Sequence, residues 1–297
     1  MVFLLDSKNK VKIIKADLSL LFIVIIWGTT FPLMKIALKN VNPFHFISFR
    51  FIIAFIILTA ILNTRLKNIS YRTIKIGLFL GLWLFFGFAF QIYGLQFTTA
   101  SRSGFITGLS VIIVPVLSIF ILKDKPSLSS WMGVLLALVG MYFLTGFSEI
   151  GFNIGDLYTF FCAVSIALQI VFLSKYIINE DPLIITWLQI ATVMILGTIV
   201  SFFEQSSAPI QLNSIAVILY TGIFATALAI FVQSKAQQFT TSTHAGLLFS
   251  MEPVFGALFS FLILGEKLTM IGLIGGALIF AGIILSEVGN HKRGDYS

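Results

Sequence analysis

Gln96-Phe97-Thr98-Thr99 returns further along the chain as Gln238-Phe239-Thr240-Thr241. Around this anchor the two halves keep step without gaps. Gly104 pairs with Gly246, Ser118 with Ser260, and Ile121-Leu122 with Ile263-Leu264. Asp124-Lys125 pairs with Glu266-Lys267, Gly133 with Gly275, Gly140 with Gly282 and, upstream, Gln91 with Gln233. The beginnings of the halves match at a slightly shorter offset. Asp17 falls opposite Asp156, Asn40 opposite Asn179, Pro43 opposite Pro182, and Arg50 opposite Gln189. Apolar helices resemble one another by composition, but composition does not align polar and glycine positions.

The repeated unit is built for lipid. Of 297 residues, 58% are hydrophobic and only 10% charged. Soluble domains carry about 25% charged residues, so this chain cannot cover a water-facing surface of its own size. A hydrocarbon core of about 30 Å takes about 20 apolar residues per helix. That ruler marks about ten spans, at 18–38, 44–62, 74–95, 103–122, 130–147, 155–176, 183–203, 214–234, 245–264 and 270–286. The runs are continuous and not alternating, which predicts helices and not a β-barrel. Turn formers fill the connectors: Asn42-Pro43, Lys125-Pro126-Ser127, Glu180-Asp181-Pro182 and Ser206–Pro209. The fold class is therefore an all-α integral membrane protein. Its segments are a tail at 1–17, one five-helix repeat at 18–148, a second at 149–287 and a tail at 288–297.

An odd number of spans per repeat makes corresponding helices cross the bilayer in opposite directions. Such inverted repeats are related by a pseudo-two-fold axis in the membrane plane, and secondary transporters use them to alternate access to a central site. Basic residues set the orientation. With the N-terminus in the cytoplasm, Lys8, Lys10, Lys12, Lys15, Arg65, Lys67, Arg72, Lys75, Lys123, Lys125, Lys175, Lys235, Lys292 and Arg293 all lie inside. That is about 14 of the 19 Lys and Arg residues, whereas the outside loops at 148–154 and 204–212 hold none. The N-terminal run continues into a long apolar stretch with no small-residue cleavage site, so it reads as a cytoplasmic tail and not a signal peptide.

Ile26-Trp27-Gly28-Thr29-Thr30-Phe31, Arg50-Phe51, Val114-Pro115-Val116, Met251-Glu252-Pro253-Val254-Phe255 and Leu264-Gly265-Glu266-Lys267-Leu268 occur in this order. Together they resemble the drug/metabolite transporter superfamily in its EamA-type branch, with Lys267 where the family more often has arginine. The resemblance covers nearly the whole chain. It implies ten helices in two inverted halves around a central cavity, and export or exchange of metabolites, often amino acids.

Polar residues inside the spans are the site candidates, because a charge at the bilayer centre costs at least about 2.5–3.5 kcal/mol and faces a cavity or a partner. Arg50 reads as an anchor for a substrate carboxylate, or as a structural arginine that pairs with carbonyls or snorkels outward. Glu252 reads as a carrier of a coupling proton, or as a hydrogen-bonded element beside Pro253. Gln91, Gln233, Gln169 and Gln189 can bind substrate or bridge helices. Trp27 is the aromatic nearest mid-membrane. Trp83 and Trp187 are weaker stacking candidates, and Trp131 belongs to an interfacial belt. Phenylalanine, at 32 residues, is too abundant to mark a site. The substrate-binding set is Trp27, Thr30, Arg50, Gln91, Gln169 and Gln233; Glu252, Pro115 and Pro253 are the coupling or gating set. Arg102 and His244, symmetry mates at helix starts, read as interfacial, with gating as the alternative. Lys35 is expected to snorkel. Gly77/Gly81, Gly104/Gly108 and Gly272/Gly276 are expected to serve helix packing.

Several function classes find no support in the residues. There is no P-loop for ATP-driven pumping, no nucleophile or metal motif, and a single cysteine, Cys162. No enzyme activity, cofactor, metal or nucleic-acid partner is expected. The expected partners are a small-molecule substrate, membrane lipid, and a coupling proton or counter-substrate, in a monomer or homodimer of the cell membrane with both termini cytoplasmic. The leading expectation is export or exchange of a small polar metabolite, an amino acid first. The alternatives are a membrane sensor or structural protein without transport, and efflux of drugs or phosphorylated metabolites.

Overall fold

The computed structural model describes residues 2–62, 69–98, 100–145, 153–204, 211–265 and 269–293, with backbone alone at 2–10, 100–102, 105, 145 and 287–293. Thr99, Arg65, Lys67, Ser206–Pro209, Glu266-Lys267-Leu268 and most of the 148–154 loop lie outside the described residues. So do the side chains of Lys8, Lys10, Arg102, Lys292 and Arg293.

Helices make up the described structure, and no strand occurs among the described residues. The first half holds α1 (Val2–Ala37), α2 (Pro43–Leu62), α3 (Tyr71–Phe97), α4 (Ala100–Gly108), α5 (Ser110–Ile121) and α6 (Leu128–Thr145). The second holds α7 (Ile154–Tyr176), α8 (Pro182–Ser201), α9 (Leu212–Gly222), a π-helical turn at Ile223–Leu228, α10 (Ala229–Ala236), α11 (Ser242–Phe249), α12 (Glu252–Leu264) and α13 (Met270–Arg293). Seven of the apolar helical stretches are long enough to cross a membrane, and Ile106–Ile121, Leu128–Leu144 and Met270–Ser286 are shorter. With α4–α5, α9–α10 and α11–α12 each forming one crossing, the described residues make the ten spans expected. Both chain ends then lie on one face, here the near side; the other is the far side.

Local chemistry sets the helix ends. Ser70 caps α3 by accepting from the Thr73 N–H. Asn153 and Asp156 form a reciprocal capping box at α7, and Asp181 caps α8, whose first residue is Pro182. These side chains satisfy N–H groups that a helix start leaves bare. The segment before the first span is helical from Val2 and runs into it without a break. One expectation changes. The fourth and ninth spans are not continuous: each is interrupted near its middle, at Leu109 and at Ser250-Met251. In the repeat register Ser110 corresponds to Glu252, so α5 and α12 begin at equivalent positions.

The pseudo-two-fold axis is directly visible where α6 packs on α13. A Cβ added at Gly133 would lie 2.5 Å from the Gly282 carbonyl oxygen, and one at Gly140 would lie 2.5 Å from that of Gly275. The mates 133/275 and 140/282 therefore touch crosswise, as a two-fold contact requires. Without side chains the backbones approach closely, which is how helices associate where no hydrophobic drive separates protein from lipid. Gly77 and Gly81 play the expected packing part against Leu188 and Thr192 of α8. Substituting Gly275→Ala places a Cβ 2.4 Å from the Gly140 oxygen. Thermal unfolding of the detergent-purified protein should show a loss of about 1–3 kcal/mol, the usual cost of overpacking.

Candidate functional site

A cavity of about 100 Å³ sits between the two halves, at the level of the helix interruptions. Its walls come in symmetry mates. Trp27 and Ile166, Thr30 and Gln169, Phe31 and Ile170, Phe88 and Ile230, Gln91 and Gln233, Thr107 and Phe249, Gly108 and Ser250, and Ser110 and Glu252 all line it. The cavity therefore lies on the pseudo-two-fold axis. Met34, Arg50, Leu84, Gly104 and Pro253 complete the lining.

The structure brings all six residues of the expected substrate-binding set to this one cavity, with Glu252 and Pro253. Pro115, of the coupling or gating set, is buried inside α5 and does not line the cavity. Trp187 is also elsewhere. Its Nε1 donates to Thr59 Oγ1 at 2.8 Å and its ring stacks on Phe55. Trp83 packs edge-on against Phe79 and Phe86.

Arg50 neither snorkels nor stands free. It is 3% exposed. Nε donates to Thr226 Oγ1, and Nη2 donates to the Ala225 carbonyl at 3.1 Å. Its guanidinium carbon lies 4.9 Å from the Phe88 ring centroid, a cation–π distance. Trp27 Nε1 donates to the same Ala225 carbonyl at 3.0 Å. That carbonyl lies in the π-helical turn, where the Ala229 N–H reaches back to Phe224. The turn's Ala225 carbonyl thus holds two side chains that line the cavity. Nη1 and one proton of Nη2 remain without an acceptor among the described residues.

Glu252 opens α12 at the interruption. It is half-buried on the cavity wall, with no hydrogen bond among the described residues. Of its two expected readings, a proton carrier or a hydrogen-bonded element beside Pro253, the second finds no partner here. A carboxylate in a first helical turn is favoured by the helix dipole. Arg50 and Glu252 thus face one small space. Gln91 adds an amide that no described residue engages. The other glutamines are tied together: Gln169 Nε2 donates to Gln189 at 3.0 Å, and Gln233 Nε2 donates to Gln169 at 3.1 Å and to Gln237 at 3.0 Å. Gln189 and Gln237 do not line the cavity, so for them the helix-bridging role is what the geometry displays. Thr30 lines the cavity while its hydroxyl donates to the Trp27 carbonyl at 2.7 Å.

The two ends of the cavity differ. All eight residues of α11, on the near side, are buried. Gly246 lies against Val114 of α5, 3.3 Å from where its Cβ would be, and Ser242 Oγ lies 2.8 Å from Ser118 Oγ. On the far side, the mate Gly104 in α4 faces open space, so the packing expected of the Gly104/Gly108 pair holds only for Gly108, against Met141. The near side is closed by α11, whereas on the far side Gly104 of α4 borders the central cavity.

The profile of the EamA-like transporter family matches the chain twice, over residues 14–146 and 153–287. The chain belongs to this family. An uncharacterized transporter from Archaeoglobus fulgidus is 38% identical over 275 residues, spanning 93% of this chain and 86% of that protein. The uncharacterized transporter YoaV of Bacillus subtilis is 24% identical over 289 residues, 94% and 99% of the two chains. A solved crystal structure superposes with a TM-score of 0.79 at 19% identity, covering 93% of this chain and 98% of that one, which establishes a shared fold. The protein is a multi-pass membrane transporter of EamA type.

Signals for Arg50, Glu252 and the glutamines were present as polar residues in apolar runs. Ser110, Ser250 and the Ala225 carbonyl were missed. Small hydroxyls are common in spans, and nothing in Ile223–Leu228 marks a π turn. The asymmetry between mates makes a prediction. Gly104→Leu should leave the melting temperature close to wild type and block ligand access from the far side. Gly246→Leu, driven into Val114, should cost about 1–3 kcal/mol in thermal unfolding.

Proposed function

We propose that this transporter moves a small zwitterionic metabolite, an amino acid first, across the cell membrane by alternating access of its two halves. The observation that carries the reading is the placement of the cavity. It sits on the pseudo-two-fold axis, walled by mates, between two spans interrupted at equivalent positions. Inverted-repeat transporters place substrate at such discontinuous helices near the bilayer midplane. Exchanging the conformations of the halves transfers the near-side closure to the far side without moving the site.

The substrate class follows from chemistry. Arg50 offers unused N–H donors, Glu252 a free carboxylate and Gln91 an amide within one cavity. A carboxylate on Arg50 and an ammonium on Glu252 would complement both charges of an α-amino acid. The volume of about 100 Å³ is well below the roughly 300–1,000 Å³ of clefts that hold drug-sized ligands, which disfavours drug efflux. A phosphorylated dianion calls for a cluster of cations, and among the described residues Arg50 is the one arginine lining the cavity. The excess of Lys and Arg on the near side supports a cytoplasmic near side, with both termini. Glu252 is the group placed to carry a coupling proton, since a neutral carboxyl no longer holds an ammonium. Binding without transport, as in a sensor, is separated by measuring flux.

Proteoliposomes loaded with radiolabelled amino acids test the proposal. Wild type should exchange at least one of them, and Arg50→Gln should lower its apparent affinity by about tenfold to a hundredfold, the range for a lost charged hydrogen bond. Unchanged affinity and flux would remove Arg50 from the substrate site. In the same vesicles, Glu252→Gln should abolish any dependence of flux on a pH gradient; persistence of that dependence would exclude Glu252 as the proton carrier.

A further inference from the structure

A second space of about 750 Å³ opens on the near side, lined among others by Lys12, Asp124, Lys175, Gln237 and Ser242. It is separate from the central cavity. The central cavity touches the end of α11 at Phe249 and Ser250, and the near-side vestibule touches its start at Ser242. α11 is therefore the plug between them. Two polar contacts fasten it. One is Ser118–Ser242 to α5. The other joins the two halves: His244 Nε2 of α11 lies 3.4 Å from Asp17 Oδ2 of α1, with side chains 2% and 15% exposed.

We propose that Asp17 and His244 form the latch of the near-side gate, and that its strength follows the protonation of His244. The proposal rests on the alternating-access reading above. Histidine is the side chain whose ordinary titration falls between about pH 5 and 8. As imidazolium it pairs with the Asp17 carboxylate in a nearly dry contact; as neutral imidazole it leaves that carboxylate without a countercharge at the contact. Acid on the near side holds the plug in place and alkali releases it. The sequence mate of His244 is Arg102, whose charge does not titrate, so the device belongs to one side of the membrane.

Among the described residues, the other charged and titratable groups on the elements packed against α11 are these. α5 carries none, α6 brings Tyr142, and α13 brings none among its described side chains. α7 contributes Asp156, Tyr158, Cys162, Lys175 and Tyr176. Of these, Lys175 is on the vestibule wall, with Lys12 of α1 and with Asp124 from the connector after α5. Lys15 precedes Asp17 on α1 at the rim of a separate near-side groove. Asp17 is the carboxylate in contact with the ring.

The test reads gate opening without substrate. In a Cys162→Ser background, Ser118→Cys is labelled with a membrane-impermeant maleimide from the near side. Its rate is divided by that of the exposed control Leu128→Cys, to cancel the thiol's own pH dependence. The normalised rate should rise by about tenfold between about pH 5.5 and pH 8. Asp17→Asn, close to isosteric, should make it high and flat; His244→Arg should make it low and flat. Melting temperatures confirm that each variant is folded. A pH-dependent rise that survives in folded Asp17→Asn would overturn the latch, as would a flat wild-type profile. Failure of the transport reading shows separately, as absent flux in proteoliposomes.

Discussion

In hydrocarbon no water is available for a bare backbone N–H or C=O, so a membrane helix can be interrupted only where protein or a cavity receives the freed groups. This constraint organises the molecule. Its interruptions at Leu109 and Ser250-Met251, and its π turn at Ile223–Leu228, gather around one central cavity. The Ala225 carbonyl takes two side-chain donors, Trp27 and Arg50, in place of solvent. Arg50 in turn is affordable at mid-membrane because Thr226, Ala225 and the Phe88 ring surround it. The expensive groups support one another, and the site exists because they do.

Symmetry explains why the cavity is where it is. The contact of Gly133 with Gly282 and Gly140 with Gly275 brings α6 and α13 together across the pseudo-two-fold axis. The same axis runs through the cavity, since its walls are pairs of mates. Departures from symmetry then carry the specificity. Arg50 has Gln189 as its mate, Glu252 has Ser110, and Thr226 has Leu84. Each replacement puts a charge or a hydroxyl on one side only, which gives a symmetric container two chemically distinct ends.

Much of this was legible in the chain. The span count, the repeat and the polar residues facing a common interior follow from hydropathy and from matched positions such as Gln91 and Gln233. The interruptions were not legible, because the small and hydroxyl residues around Leu109 and Ser250-Met251 also occur inside unbroken membrane helices. Pro253 hinted at one of them, two residues after the break. Pro115 did not mark the other, since it lies inside α5, past the break at Leu109. Hydropathy reports what faces lipid or core, and says nothing of which carbonyl a buried tryptophan will find. The difference between Gly104 and Gly246 was equally hidden, because identical residues at equivalent positions take different surroundings only in a given conformation.

That difference is the centre of the account: on the near side α11 plugs the central cavity, while on the far side Gly104 of α4 borders it with no neighbour among the described residues. Double electron–electron resonance between spin labels tests it most directly. One pair is placed at exposed far-side positions, Phe97 and Leu262, and the other at exposed near-side positions, Phe120 and Phe239. Adding a transported amino acid should shorten the far-side distance and lengthen the near-side one together, as closure passes from one half to the other. Two distances that stay fixed, or that change in the same direction, in protein that sustains flux would contradict alternating access by exchange of the two halves.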